Sequence, residues 1–98
     1  MIDKKLRMDF RNVCSTYMDR SWYSTGTIDG GKTYRVNFPF KAYHYKKFKD
    51  IPNLDKYRAE AEAIAAKVAK HFPECFVTYN LHTAACLYIS LRLTPKVG

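Results

Sequence analysis

Leu54, Tyr57, Ala61, Ile64, Ala65, Val68 and Phe72 recur at steps of three and four. That period puts them on one side of an α-helix. The run Ala59–Ala69 is rich in alanine, which favours helix and keeps the side chains short. A helix with such a stripe cannot stand alone in water; it needs an apolar layer to lie on, and small residues let it lie close. Pro73 stops it. Asp50-Ile51-Pro52-Asn53 reads as the turn before it, with Asn53 as the N-cap. The rest of the chain must therefore supply a surface for one long helix.

Strand patterns supply that surface. Tyr34, Val36, Phe38 and Phe40 alternate with Thr33, Arg35, Asn37 and Pro39, one side apolar and the other polar. Before them Asp29-Gly30-Gly31-Lys32 separates this strand from Trp22–Ile28. A glycine pair suits the positive φ angles of a tight hairpin. Pro39 cannot donate to a ladder, which places it at an edge, a bulge or a bend. Lys41–Phe48 reads as a third short strand. Near the C-terminus Phe76–Leu81 and Ala85–Leu93 read as two strands around a turn at His82-Thr83-Ala84. In the second, Leu87, Ile89, Leu91 and Leu93 face one way, and Cys86, Tyr88, Ser90 and Arg92 the other.

At the start, Leu6, Phe10, Val13 and Tyr17 recur at helical spacing, flanked by Cys14 and Met18. Asp3 is placed to cap this helix, which fades near Ser21. Lys4, Arg7 and Arg11 fall on its other side. The order is α-β-β-(β)-α-β-β. It describes an α+β fold in one small domain spanning 1–98, with an antiparallel sheet covered on one face by helices and a short tail at 94–98. A hydrophobic share of 47% is ordinary for a packed core.

Charge bears on function. Seventeen Lys and Arg stand against nine Asp and Glu, a formal charge of +8. Such an excess favours an acidic partner: nucleic acid, an anionic surface or an acidic protein. It is densest between Lys32 and Arg58, where aromatic rings are interleaved with the cations. Cations attract phosphate, and rings stack on bases or sugars. The residues expected to touch nucleic acid, DNA or RNA, are Lys41, Tyr43, His44, Tyr45, Lys46, Lys47 and Lys49, with Arg35 on the adjoining strand. If the apolar side of Thr33–Phe40 packs on the long helix, Arg35 and Asn37 project from the opposite side. Arginine there meets phosphate, and arginine or asparagine reaches base edges.

Three strands followed by a long amphipathic helix resemble the AP2-type DNA-binding fold, including the arm-binding domains of phage integrases. The matching residues are Gly30-Gly31-Lys32 at the hairpin, Tyr34-Arg35-Val36 on the second strand and His44-Tyr45-Lys46-Lys47-Phe48 on the third. Tyr57-Arg58-Ala59-Glu60-Ala61-Glu62-Ala63-Ile64 matches the helix. The likeness spans about Trp22 to Phe72 and is one of pattern. It implies a sheet that enters the DNA major groove with the helix behind it. Phe38-Pro39-Phe40 stands where that family has a glycine-bearing hairpin between strands two and three. The order α-β-β-β-α is also that of double-stranded-RNA-binding domains, although only Lys56 and Arg58 stand where those carry a lysine cluster.

Other chemistries find less support. His71, Cys75, His82 and Cys86 are zinc-ligand types, but their spacing matches no common zinc module, and buried cysteine is the ordinary alternative. No metal or other cofactor is expected. Cys14 with His44, or Cys86 with His82, is not placed in contact by anything in the sequence. Glu60, Glu62 and Glu74 form no catalytic pair, and there is no phosphate-cradling glycine loop. The expectation is a non-enzymatic protein. Three irregularly spaced cysteines, the lack of an apolar leader and the lack of an Asn-x-Ser/Thr acceptor fit a reducing cytoplasm and no membrane. The rival reading is a phage or mobile-element accessory protein that inhibits or adapts a host protein complex by direct docking.

Overall fold

The computed structural model describes residues 2–18, 24–39, 54–83 and 87–96. These form helix α1 (Lys4–Tyr17), strands β1 (Ser24–Ile28) and β2 (Thr33–Pro39), helix α2 (Leu54–Ala69), and strands β3 (Cys75–Thr83) and β4 (Leu87–Pro95). The strands make one sheet in the order β1-β2-β4-β3, every neighbouring pair antiparallel. The fold is α+β, as the patterns require. Two hairpins, β1–β2 and β3–β4, lie side by side. With β4 between them, β2 and β3 run parallel, so the connection through α2 is a crossover that skips one strand.

The first hairpin turns where the glycine pair predicts. Asp29, Gly30 and Gly31 all take positive φ, at 53°, 66° and 88°. Gly31 also ties down the chain before α1: Ile2 N–H donates to its carbonyl at 2.7 Å. Asp3 stands at the N-cap of α1 in extended conformation, but its side chain makes no capping bond. The helix ends at Tyr17, short of Ser21, because Met18 turns to extended backbone.

Alternation then sorts the side chains. Tyr34, Val36 and Phe38 of β2 and Leu87, Ile89, Leu91 and Leu93 of β4 are buried on one face of the sheet. Both helices cover that face. Phe10 of α1 sets its ring edge-on to Tyr34 and to Phe72, with centroids 6.3 and 5.6 Å apart. From α2 the predicted stripe is all in or against the core, with Ala61, Ile64, Ala65 and Val68 buried. The helix itself stops at Ala69. Its end tightens as His71 and Phe72 N–H groups donate to the carbonyls of Val68 and Ala69, each at 3.0 Å. This carries Phe72 into the core ahead of Pro73.

The second hairpin departs from expectation. No turn forms at His82-Thr83; β3 continues through Thr83, and His82 pairs with Tyr88. Their rings stack across the strands, centroids 5.1 Å apart, which favours extending the ladder beyond Leu81. Both flanks of β2 are taken, by β1 and by β4. The AP2-type resemblance implies instead a neighbour from 41–48. That expected third strand and the Asn53 cap lie outside the described residues. No helix among the described residues is long and apolar enough to cross a membrane.

Candidate nucleic-acid interface

If one face of the sheet carries the helices, the alternate residues make up the other. On β1 these are Ser24, Gly26 and Ile28; on β2, Thr33, Arg35, Asn37 and Pro39. On β4 they are Tyr88, Ser90, Arg92 and Thr94; on β3, Phe76, Thr78, Asn80 and His82. Register arranges them in rows across the strands. Gly26, Arg35, Arg92 and Thr78 form one row. Ser24, Asn37, Ser90 and Asn80 form the next. Pro39, Tyr88 and His82 form a third, and Ile28, Thr33, Thr94 and Phe76 lie on the far side of the arginines.

None of these positions is an aspartate or glutamate, yet two are arginines directly opposite one another on the central strands. Directly opposite side chains start about 4.5–5.5 Å apart at Cβ, and like charges there repel. Asp29 approaches this face, its Oδ2 a long 3.5 Å from Thr33 Oγ1. That contact is at the end of the sheet and does not reach either arginine. Thr33 Oγ1 instead shares a 2.7 Å hydrogen bond with Thr94 Oγ1.

The polar atoms between the arginines and the ring pair are left without partners. Arg35 Nε, Arg92 Nε, Asn37 Oδ1 and Ser90 Oγ are buried and make no hydrogen bond. Asn37 is 6% exposed and Ser90 0%. Asn37 does donate its amide N–H to Ser24 Oγ at 2.7 Å. Exchanging the amide oxygen and nitrogen would leave the other atom unpaired, so either assignment keeps one polar atom open. Each such atom costs about 1–3 kcal/mol when it stays unmatched. Arg7 Nε on α1 is the remaining atom of this kind among the described residues. The other four fall on two adjacent rows, Arg35 with Arg92 and Asn37 with Ser90.

Rings border the polar rows on both sides. The His82–Tyr88 stack, 25° between planes, lies on one side. On the other, Phe76 is 57% exposed, with the Lys96 ammonium 5.3 Å from its centroid. Gly26 stands beside Arg35, and a Cβ built there meets nothing within 4 Å. A glycine inside a strand weakens it and often marks close approach by a ligand.

Burial pushes the His82 imidazole below its ordinary value, and Arg92 and then Arg35 push it further the same way. Protonation of His82 is therefore easier in the unfolded chain. Its neutral form contributes no pH-dependent penalty above the ordinary histidine value, near 6.5. Stability is lost as pH falls from there towards the lowered folded value. Urea unfolding at pH 7.5 and pH 5 should show a smaller acid loss for His82→Gln than for the native chain. Equal losses would mean that neither burial nor the arginines lower the His82 value in the folded chain.

Of the residues expected from sequence to touch nucleic acid, Arg35 lies on this face. Lys41, Tyr43, His44, Tyr45, Lys46, Lys47 and Lys49 lie outside the described residues. The structure adds Arg92, Ser90, Tyr88, His82 and Phe76, which sequence reasoning did not select. The signal was present in the alternation of β4, where Tyr88, Ser90 and Arg92 share the side away from the leucines. Of the possible metal ligands, Cys86 lies outside the described residues; His71 Nε2 is 2.9 Å from the Tyr17 hydroxyl, and Cys75 and His82 point to opposite faces of β3. Burial raises the thiol pKa of both Cys14 and Cys75, leaving them protonated and poorly nucleophilic at neutral pH. In comparison with known proteins, no family model, no curated protein and no solved structure matches the chain.

Proposed function

We propose that this chain is a small nucleic-acid-binding domain, acting by binding and not by catalysis, whose recognition surface is the sheet face turned away from the helices. The observation that carries the reading is the Arg35–Arg92 pair. Two arginines stand opposite one another across β2 and β4, with no aspartate or glutamate among the described strand positions of their face, beside unpartnered Asn37 and Ser90 atoms. Such a cluster is costly alone and is relieved by a phosphate, which accepts from both arginines and screens their repulsion. The net charge of +8 adds long-range attraction for a polyanion. The Lys41–Lys49 run begins two residues after β2 ends, and in this reading supplies further phosphate contacts.

The test is binding of labelled oligonucleotides of arbitrary sequence across a potassium chloride series. Arg35, Arg92 and at least two of the lysines imply a slope of log affinity against log salt of about −3 or steeper. A protein that binds no oligonucleotide at low salt, but holds a stoichiometric protein partner after nuclease treatment at high salt, is instead the docking inhibitor or adaptor.

A further inference from the structure

We propose that this face takes single-stranded nucleic acid, with a phosphate on Arg35 and Arg92 and a base stacked against the His82–Tyr88 ring pair. The proposal rests on the nucleic-acid reading above and narrows it to one form of the polymer.

Width argues first against a duplex. The major groove of B-form DNA is about 12 Å across and admits one helix or a two-stranded ribbon. Four strands spaced about 4.8 Å apart already span about 14 Å between the outer backbones, before any side chain is counted. The Arg35–Arg92 row lies on the two central strands, so presenting it to the groove floor means laying the whole sheet flat. The sheet is too broad to enter. The major groove of A-form RNA is narrower still, and side chains cannot read it.

The chemistry of the rows argues for a single strand. In a duplex each base is covered above and below by its neighbours, so a protein ring has no base face to meet. A single strand exposes those faces, and ring–base stacking holds it whatever its sequence. His82 and Tyr88 are half-buried and stacked on each other, which fixes both rings while part of their surface remains accessible. Tyr88 and Arg92 are four residues apart on β4, about 13 Å. Between them Asn37 and Ser90 are buried and closed to a ligand, while Asn80, next in the same row, is exposed and offers hydrogen bonds to sugar or base edge. Phosphate contact, polar contact and stacking platform thus lie close together on rigid strands. Beside its cationic end, Gly26 leaves the surface bare.

The experiment is fluorescence anisotropy with labelled 15-mers of oligo(dT) and oligo(U), a duplex of equal length, and an abasic deoxyribose-phosphate 15-mer. Binding by either single-stranded sugar type supports the proposal, since phosphate and base faces are common to both. At least tenfold preference for the single strand over both the duplex and the abasic strand is expected. His82→Ser should weaken single-strand binding on the order of tenfold and leave abasic binding unchanged. Arg35→Gln with Arg92→Gln should weaken both. Gly26→Val places a branched side chain in open space on a strand, so it should melt no lower than the native chain while binding falls. Lys67→Gln with Lys70→Gln, exposed residues at the end of α2, removes equal charge and should change affinity far less.

Equal or tighter duplex binding that still needs both arginines would overturn the single-strand assignment and leave the nucleic-acid reading standing. Equal binding of abasic and base-bearing strands, or no effect of His82→Ser, would overturn the stacking site. Unaltered binding by a folded Gly26→Val protein would remove this face from the contact. Failure to bind any of the four probes would overturn both the inference and the reading beneath it.

Discussion

Ile64→Asp is expected to leave the chain unfolded. Ile64 is 7% exposed on the α2 stripe, within the cluster that joins both helices to the sheet. Removing its apolar side chain alone costs about 2–5 kcal/mol by the usual large-to-small comparison. A carboxylate at the same place must either ionise without a partner or take up a proton, and each adds several kcal/mol. A domain of this size has about 5–15 kcal/mol in total. The combined loss reaches that range. Lys67→Asp, three residues further along the same helix but exposed, should shift stability by only about 0.5 kcal/mol. Far-UV circular dichroism and urea titration separate the cases. A folded Ile64→Asp protein, as stable as the Lys67→Asp control, would show that this stripe is a docking surface and not core.

The residues that made the fold legible are those whose local preference and tertiary role coincide. The α2 stripe has one period and one apolar layer to meet, and every member packs there. The leucine and isoleucine positions of β4 alternate without a break, so their shared face needed no further information. The glycine pair at 30–31 requires positive φ, and the turn forms around it. Where two tendencies compete, the sequence is less direct. His82 and Thr83 have turn-like neighbours, yet a cross-strand ring stack with Tyr88 holds them in the ladder. Strand order was not readable either, because nothing local in β2 says that β4, whose paired residues lie 49 to 59 positions further along the chain, becomes its neighbour.

The candidate site illustrates the same limit. Arg35 was identifiable from its own strand, since alternation alone puts it opposite Tyr34 and Val36. Its significance depends on Arg92, and the two come together only through the β2–β4 register. A single arginine on a sheet face is an ordinary solvated cation. Two of them opposed on central strands, with buried polar atoms unmatched alongside, are an unfavourable arrangement in isolation. Binding sites commonly retain such local cost, which a partner then relieves.

The second large effect has opposite signs in affinity and in stability. Arg35→Gln with Arg92→Gln is expected to weaken oligonucleotide binding on the order of a hundredfold. Each arginine contributes a charge-assisted hydrogen bond of about 1.5–3 kcal/mol, and two at the lower figure give about 3 kcal/mol, or roughly two decades in Kd. The salt slope should flatten by about 1.4–1.8, two phosphate contacts' worth of counterion release. Stability should hold or rise by about 0.2–1 kcal/mol, because glutamine keeps much of the stem and removes the like-charge repulsion between β2 and β4. Binding isotherms at three salt concentrations and urea melts of the same protein measure all three quantities. Affinity and stability falling together, with the salt slope unchanged, would make the arginines structural. Affinity falling while stability holds identifies them as the groups that meet phosphate, since a purely structural pair has no reason to be more stable without its charge.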